Sequence, residues 1–312
     1  MTGLGGAIPA KPFLKWAGGK GQLLGEIRAR LPVELAGGGI TRYIEPFVGG
    51  GAVLFDLIQA NRFQDIFIFD LNRDLICVYR VVQRAVESLI LRLQEITHEY
   101  HSLNPVEQDA FYYNARTEFN ATRDSIRPKR IGDAEIDRAS KFIFLNKTCY
   151  NGLYRVNSEG DFNVPFGFYV RPNICDEHNL RVASRVLQGV SIQTGDFAMC
   201  ESFVTSDTFI YLDPPYRPLS DTANFNAYTG TNFDDASQQR LAALFQRFND
   251  LGAKLMLSNS DPKNENPNDH FFEDAYAGFH ISRVAATRRI NSDAAKRGNI
   301  YELIITNYSQ TV

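Results

Sequence analysis

The sequence predicts an α/β fold, in which a mostly helical insertion interrupts an open sheet. Three observations lead to this prediction. Strand-like and helix-like patterns alternate over residues 1–71, long amphipathic helical patterns follow to about residue 145, and strand patterns return at residue 190. Strands separated by helices pair in parallel. We therefore expect a sheet domain of residues 1–71 and 191–312 around an insertion of residues 72–190.

Each element of the sheet domain follows from the period of its apolar residues. Apolar residues three and four apart indicate a helix, whereas short runs rich in Ile, Phe, Val and Tyr indicate a strand. Helices are predicted at 20–31, 52–60 and 235–251, the last with Asp234 or Asp235 as its cap. Strands are predicted at 41–45, 65–70, 190–194, 208–212, 254–257, 279–284 and 300–306.

The insertion combines helices with one long irregular stretch. Residues 74–96 and 134–145 have the spacing of amphipathic helices. The next stretch, NKTCYNGLYRVNSEGDFNVPFGFYVRPN at 146–173, is rich in Asn, Gly and aromatic residues and has no period. Loops of this length inside a compact protein are usually functional, so we expect this stretch to have a role in function.

Composition excludes several classes of protein. The 312 residues, 44% of them hydrophobic, are enough for a full core, and no apolar run reaches the roughly 20 residues that span a bilayer. The first residues lack the pattern of a signal peptide, so we expect a soluble, cytoplasmic protein. The four cysteines form no CxxC pair, which argues against a zinc site and for reduced thiols.

Net charge indicates no partner by itself. The value of -3, with a pI near 6.0, differs from the basic average of many nucleic-acid binders. Positive charge is concentrated in two places, RDSIRPKR at 123–130 and the group Arg283, Arg288, Arg289, Lys296 and Arg297. Such concentrations of positive charge either contact phosphates or form solvated faces.

Two glycine-rich segments are candidates for gripping an anionic or nucleoside ligand. FLKWAGGKGQLL at 13–24 fails as the phosphate loop of an ATPase, because Leu14 replaces the first glycine and Gly21 stands where Ser or Thr would hold magnesium. YIEPFVGGGAVLF at 43–55 is a strand followed by a glycine turn that enters a helix. Leu54 occupies the third glycine position of a dinucleotide fingerprint.

The second segment favours a cofactor that contains a nucleoside. Gly49 to Gly51 have no side chains, so a ligand can approach the backbone closely. Asp70 ends the next predicted strand, where an acid can accept hydrogen bonds from ribose hydroxyls. The alternative is a plain tight turn beside a solvated acid.

The stretch Asp213-Pro214-Pro215-Tyr216 directly follows the predicted strand 208–212, at the end where open α/β sheets bind ligands. The prolines fix two φ angles and hold the nearby carbonyls in one direction. Asp213 and such a carbonyl suit the two N–H bonds of an exocyclic amine, and they would turn the lone pair of an adenine amine toward an electrophile. Tyr216 would stack on a base taken out of a duplex. The alternative is a proline-rich turn that only ends the strand.

These motifs together resemble those of the Dam/DpnII-like DNA adenine-N6 methyltransferases, a D12-class family of the alpha group. The matching segments are FLKWAGGK, EPFVGGGAVLF, NGLYRVN with FNVPFG, DPPYRPLS followed by TANF, and SNSD. The resemblance implies a Rossmann-like methyltransferase sheet that binds S-adenosylmethionine, residues 1–71 and 191–312. It also implies a target-recognition insertion, residues 72–190, with a DNA-binding hairpin at about 147–170.

The implied activity is transfer of a methyl group from S-adenosyl-L-methionine to N6 of a flipped adenine in double-stranded DNA. Two rivals stay open. A cytosine-N4 DNA methyltransferase has similar hydrogen-bonding needs, and a DNA-binding module could keep the fold without turnover. Double-stranded DNA is the implied partner, with no membrane and no obligatory protein partner. A monomer is sufficient for attack on one base.

The resemblance also implies roles for individual residues. The expected catalytic residues are Asp213, Pro214, Pro215 and Tyr216. The expected cofactor contacts are Trp16, Lys20, Glu45, Pro46, Phe47, Gly49, Gly51, Asp70, Asp196, Phe197 and Asp213. Asp70 would bind the ribose, and Asp196 and Phe197 would bind the adenine edge. Taken alone, Trp16 and Phe197 also suit a core, and Asp196 suits a turn. No metal ligand is expected.

The expected DNA contacts are Tyr150, Asn151, Leu153 and Arg155. Tyr150 would fill the space left by the flipped base, and Arg155 would make a bidentate contact to guanine. Their alternatives are packing within the hairpin and a phosphate contact. Family members that read GATC commonly have FGRY or FGKY, whereas this chain has Phe168 at the basic position. A phenyl ring can contact a thymine methyl group, so the expected site is GATC or a related sequence.

Overall fold

The computed structural model describes residues 8–126, 130–217, 233–286 and 300–309. Contacts between residues divide the chain into two compact units. The helical unit is Met1–Gly19, Gly49–Ala60 and Asn72–Thr194. The sheet unit is Lys20–Val48, Asn61–Leu71 and Gly195–Val312.

The described residues contain both helices and strands, which confirms the predicted α/β class. The strands are β1 (Arg42–Glu45), β2 (Asp65–Asp70), β3 (Val190–Thr194), β4 (Thr208–Leu212), β5 (Lys254–Ser260), β6 (His280–Ala286) and β7 (Ile300–Thr306). The helices are α1 (Leu24–Arg28), α2 (Val33–Ala36), α3 (Ala52–Ala60), α4 (Arg73–Arg84), α5 (Val86–Ser102), α6 (Pro105–Ala121), α7 (Asp133–Thr148), α8 (Glu177–Val186), α9 (Asp235–Asp250) and α10 (Phe271–Ala275).

The seven-stranded sheet has the order β3-β2-β1-β4-β5-β7-β6. Strand β1 pairs in parallel with β2 and β4, and β4 pairs in parallel with β5. Strand β7 runs antiparallel to β5 and β6. All five residues of β4 are buried, which explains its continuous apolar run TFIYL. Asp213 therefore directly follows a strand that is fully buried and paired on both sides.

The sheet unit has an apolar core between β4, β5, β7 and α9. Its members include Ile210, Leu212, Phe245, Phe248, Leu257 and Ile305. The carboxylate of Asp234 accepts the N–H of Ser237 at 2.9 Å, so the predicted cap of α9 is confirmed. The helix predicted at 20–31 is wrong in extent, since a 3-10 turn (Lys20–Gln22) precedes the five-residue α1. Gly21 and Gly25 lower the helix propensity of this segment.

The helical unit contains the predicted long helices. Side chains cap three helices of this unit: Asn72 at α4, Asn104 with Glu107 in a capping box at α6, and Asp176 at α8. The predicted spans do not include α6, which lies between them, or α8, which comes after the irregular stretch. In the described part of the chain, no helix is both long and apolar enough to cross a membrane.

A buried ion pair ties the helices of the helical unit together. Arg138 on α7 is 2% exposed and donates through Nε and Nη2 to the two carboxylate oxygens of Asp74, at 2.7 and 2.9 Å. Its Nη1 donates to the carbonyl of Phe119 at 2.5 Å. The hydroxyl of Tyr154, from the irregular stretch, donates to Asp74 at 3.4 Å. The stretch predicted to contact DNA is thus anchored to a fully paired buried charge.

Candidate active site

Three acids lie at the carboxyl ends of neighbouring parallel strands in the sheet unit. Asp70 ends β2, Glu45 ends β1, and Asp213 follows β4. The register aligns Glu45 with Ile68 and Ile44 with Ile210, so all three acids reach the same edge of the sheet. In open α/β sheets, ligands bind at this edge.

The carboxylate of Asp213 has one engaged and one available oxygen. Oδ1 accepts from Nζ of Lys20 at 2.7 Å and from Oγ of Ser258 at 3.1 Å. Ser258 is itself fixed by Tyr211, whose hydroxyl lies 2.9 Å away. Among the described residues, no hydrogen bond to Oδ2 is recorded. The Asp213 side chain is 20% exposed, so Oδ2 can accept an N–H from a ligand.

Two opposing effects act on the pKa of Asp213. Burial raises it above its ordinary value, and the positive charge of Lys20 and the hydrogen bonds from Lys20 and Ser258 lower it. Burial is the larger effect, so the net pKa is raised. Lys20, predicted as a cofactor contact, therefore supports the ionised form of the predicted catalytic acid.

The two prolines place their carbonyls in different surroundings. The carbonyl of Pro215 accepts from Nε2 of Gln238 at 3.1 Å, and Gln238 is fully buried. The Pro214 carbonyl, one residue from Asp213, has no donor in the described part of the chain.

Tyr216 is held at both its ring and its hydroxyl. Nζ of Lys20 lies 4.6 Å from the centre of the ring. The hydroxyl donates to Oε2 of Glu302 on β7. The stretch Asp213–Tyr216 thus rests on contacts from β5, β7 and α9.

Arg217 fixes the residue that follows this stretch. Its guanidinium donates to both carboxylate oxygens of Asp235, at 2.6 and 2.9 Å, and to Asp269 at 2.6 Å. Its backbone N–H donates to Oδ1 of Asn259 at 3.3 Å. These contacts set the direction in which the chain leaves the candidate site.

Glu45 is a buried acid, 2% exposed, that accepts a hydrogen bond from the hydroxyl of Tyr43 at 2.7 Å. Burial raises its pKa well above the ordinary value, and the charges of Asp213 and Asp70 raise it further, against the Tyr43 bond. These effects favour the protonated form of Glu45, which can donate a hydrogen bond. Pro46, the next predicted contact, is buried beside it.

Phe47 and Phe197 form an aromatic pair, with ring centres 5.3 Å apart. The backbone supports both sides of this pair, because the N–H of Val48 donates to the carbonyl of Phe69 and that of Gly195 to the carbonyl of Asp70, each at 3.0 Å. The structure therefore brings Phe47, Phe197 and Asp70 into one region of the sheet unit.

Asp196 is engaged through both of its carboxylate oxygens. Oδ1 accepts the N–H of Ala198 at 3.0 Å, and Oδ2 accepts from Nη2 of Arg240 at 2.5 Å. The guanidinium of Arg240 also lies 4.1 Å from the centre of the Phe197 ring. Arg240 therefore contacts both residues that are predicted to bind the cofactor adenine.

The predicted contacts Trp16, Gly49 and Gly51 lie in the helical unit. Gly49 and Gly51 have φ values of 47° and 75°, which favour glycine. A Cβ on Gly49 would lie 3.0 Å from the Trp16 ring, and one on Gly51 would clash with the hydroxyl of Tyr79. Trp16 stacks on Tyr154 at 5.8 Å. The turn is therefore packed tightly enough to need glycine.

The predicted DNA contacts lie near the start of the irregular stretch in the helical unit. Tyr150 and Asn151 fall in a 3-10 turn (Tyr150–Gly152), where Tyr150 is 55% exposed and Asn151 has a φ of 55°. Leu153 is half-buried directly after it. Nε and Nη2 of Arg155 donate to Asn163 at 2.7 and 3.3 Å. Two isolated antiparallel bridges, Cys149 to Phe166 and Val156 to Phe162, give the stretch the path of a hairpin.

Phe168 is presented outward, with 74% of its surface exposed and a φ of 54°. Its ring centre lies 4.7 Å from that of Phe166, which is buried. Where family members that read GATC have Arg or Lys, this chain therefore has an apolar ring on the surface of the stretch.

The sequence patterns miss the residues that support the candidate site. Ser258 and Asn259 belong to the SNSD segment, whose position at the end of β5 is their only local signal. Gln238 and Glu302 have no local signal, because their roles depend on which elements become neighbours of Asp213. The TANF segment, Pro218 to Ser220, Arg288, Arg289, Lys296 and Arg297 lie outside the described residues. Within the described ranges, no group of three or more His, Cys, Asp or Glu could hold a metal ion.

Comparison with known proteins gives consistent matches. Residues 16–290 match the family described as D12 class N6 adenine-specific DNA methyltransferase. The chain is 48% identical over 302 residues to Type II methyltransferase M.MjaIII of Methanocaldococcus jannaschii, covering 96% of this chain and all of that protein. It is 35% identical to Type II methyltransferase M1.LlaDCHI of Lactococcus lactis subsp. cremoris, covering 96% of both. It is 33% identical to DNA adenine methylase of Haemophilus influenzae, covering 94% of this chain and 92% of that protein.

Proposed function

The chain belongs to the D12 class of N6 adenine-specific DNA methyltransferases, whose methyl donor is S-adenosylmethionine, and we propose that Asp213, Pro214, Pro215 and Tyr216 are its catalytic residues. The observation that carries this proposal is the pair of available acceptors, Oδ2 of Asp213 and the carbonyl of Pro214, at the end of buried β4. An exocyclic amine has two N–H bonds for these two acceptors.

The residues act on the amine of a flipped adenine. When both N–H bonds are held, the nitrogen lone pair is drawn out of conjugation with the ring and points away from the acceptors. S-adenosylmethionine, when bound, supplies a methyl group on a positively charged sulfur. In the transfer, the amine would gain the N–C bond as the S–C bond breaks, and Asp213 would hold the amine proton that is then released to water. The ionised form of Asp213 is the stronger acceptor for this hydrogen bond, and Lys20 supports that form.

The acids and aromatic rings of the sheet unit fit this cofactor chemically. Asp70 is placed at a strand end, where it would accept from the ribose hydroxyls. Phe47 and Phe197 offer apolar faces for the adenine, and Asp196 would accept its amino group once Arg240 moves aside. Glu45 and Pro46 would border the methionine part. Trp16, Lys20, Gly49 and Gly51 remain proposed contacts on the strength of the sequence resemblance.

We propose residues 1–71 and 191–312 as the catalytic domain and residues 72–190 as the target-recognition insertion. The exposed Tyr150 would fill the space left by the flipped adenine, with Asn151 and Leu153 beside it. Asn163 holds Nε and Nη2 of Arg155, which supports a fixed orientation for a contact to guanine. The exposed ring of Phe168 supports contact with a thymine methyl, within GATC or a related site. The protein would act as a cytoplasmic monomer.

A methyl-transfer assay tests the proposal. Purified protein, labelled S-adenosylmethionine and duplex DNA should give N6-methyladenine after digestion to nucleosides. Label in N4-methylcytosine, or no label at all, would contradict it. Sequencing of modified bases in DNA from a host that expresses the protein would then identify the recognition site. A site without a guanine would contradict the role of Arg155.

A further inference from the structure

Glu302 holds the hydroxyl of the proposed catalytic tyrosine. The Tyr216 hydroxyl donates to Oε2 of Glu302. Within the described residues, this is the one hydrogen bond that the Tyr216 side chain makes. Both side chains are half-buried, so water competes only partly for the bond. Neither the sequence motifs nor the comparisons assign a role to Glu302.

The two partners differ in rigidity. Strand β7 is paired on both sides, with Glu302 opposite Ser260 of β5 and Val284 of β6. Tyr216 lies in a stretch without regular structure. The prolines before it fix their own φ angles but leave the rotation of the Tyr216 ring free. The orientation of this ring therefore depends on its hydroxyl bond and on Lys20, 4.6 Å from the ring centre.

We infer that Glu302 is a positioning residue, which accepts the Tyr216 hydroxyl proton and so holds the ring in the plane that stacks on the target adenine. This inference rests on the proposed role of Tyr216. A ring that is already oriented needs little reorganisation when the base enters. Burial raises the pKa of Tyr216 strongly, and the charges of Asp213 and Glu302 raise it further, so the hydroxyl remains a donor at neutral pH.

A double-mutant cycle tests the inference on the full chain. The variants are Glu302→Ala, Glu302→Gln, Tyr216→Phe and Glu302→Ala with Tyr216→Phe, assayed on a duplex that contains one target adenine. Glu302→Ala should lower kcat by about tenfold, the size of one lost hydrogen bond to a charged group, and leave KM for DNA within about twofold. Glu302→Gln should stay within about twofold of wild type, because its amide oxygen still accepts. Tyr216→Phe should match Glu302→Ala, and the double variant should lose no more.

Glu273→Gln is a matched control, since Glu273 lies in the same unit but pairs with Lys263 and Arg283. Glu273→Gln should keep the wild-type kcat. Unchanged thermal unfolding of Glu302→Ala should show that Glu302→Ala folds. Additive losses in the double variant would overturn the inference, and so would a loss in Glu302→Gln as large as in Glu302→Ala. Wild-type protein that methylates no adenine would instead contradict the proposed function itself.

Discussion

At the scale of single residues, Asp213 differs from its neighbours in having an available oxygen on a pre-oriented carboxylate. Oδ1 is held by Lys20 and Ser258, so Oδ2 is fixed in direction without being occupied by a described residue. Asp213→Ala removes this acceptor, and we expect kcat to fall by about a thousandfold, as when one preorganised polar group is lost. Affinity for duplex DNA, measured by fluorescence anisotropy, should stay within about threefold. A near-normal kcat would remove Asp213 from the mechanism.

Lys20 controls the pH at which Asp213 can act. Its positive charge lowers the pKa of Asp213, which burial otherwise raises. Lys20→Met should raise this pKa further. As the solution is acidified, the variant should therefore lose activity at a higher pH than the wild type does. The acid limb of the kcat/KM profile should move upward by about one pH unit.

The control for this shift is Lys254→Met. Lys254 pairs with Glu34 in the same unit, with Nζ 2.7 Å from Oε1 and both side chains partly exposed. Its loss should leave the acid limb in place. An acid limb that stays unchanged in Lys20→Met would show that another group limits the rate.

The sequence locates the acid and the ring of the candidate site but not their supports. Asp213 and Tyr216 are found because a strand, two prolines and an aromatic residue are adjacent in the chain. Ser258, Gln238 and Glu302 are 45, 25 and 89 residues away from Asp213 along the chain. The pairing of β4 with β5 and of β5 with β7 brings Ser258 and Glu302 near it, and the packing of α9 brings Gln238. That pairing is a tertiary property, which local patterns do not contain.

At the scale of elements, the sequence predicts all seven strands, and it also predicts the limits of four of them. Strands β2, β3, β4 and β7 have the predicted limits, whereas β5 extends to Ser260. Its last residues, Ser258 to Ser260, are polar and break the apolar run, yet they still pair with β7. A hydrophobic pattern ends where side chains become polar, but the backbone ladder continues for as long as a partner strand is present.

Helix α9 carries an arginine, Arg240, that contacts both residues of the proposed adenine site. Arg240 pairs with Asp196 and covers the ring of Phe197. Arg240→Ala should therefore tighten binding of S-adenosylmethionine by about threefold to fivefold, since an exposed ion pair contributes at most about 1 kcal/mol. Isothermal titration calorimetry measures the change.

Arg247→Ala is the matched control for this prediction. Arg247 lies on the same helix and pairs with Glu201, at the far end of the 3-10 segment that begins at Phe197. Its affinity for the cofactor should equal that of wild type. Weaker binding by Arg240→Ala would mean that the guanidinium assists the cofactor instead of competing with it.

At the scale of the whole molecule, the order of segments along the chain differs from their grouping in space. In space, the helical unit includes the segment Asn72–Thr194. Residues 1–19 and helix α3 nevertheless group with the helical unit. The sequence does not show this, because the apolar face of α3 has the same pattern whichever unit it packs against.

Stability of the molecule should depend on pH through Glu45. Between its ordinary pKa and its raised folded pKa, Glu45 holds a proton in the folded protein that the unfolded chain releases. The folded state then binds more protons than the unfolded state, so the free energy of unfolding falls as pH rises, by up to about 1.4 kcal/mol per pH unit. Glu45→Gln removes this proton exchange while its amide oxygen still accepts from Tyr43. We expect the free energy of unfolding of the variant to equal that of wild type near pH 4.5 and to exceed it at pH 7. Urea unfolding at the two pH values measures this difference.

The opposite sign is expected at Glu34, which makes it a control for the same substitution. Hydrogen bonding to Lys254 lowers the pKa of Glu34, so its contribution to stability is present above its ordinary pKa and is lost as pH falls through the lowered value. Glu34→Gln should therefore give no gain in stability at pH 7. If Glu45→Gln is instead less stable than wild type at pH 7, Glu45 is ionised in the folded protein and serves the site as an acceptor.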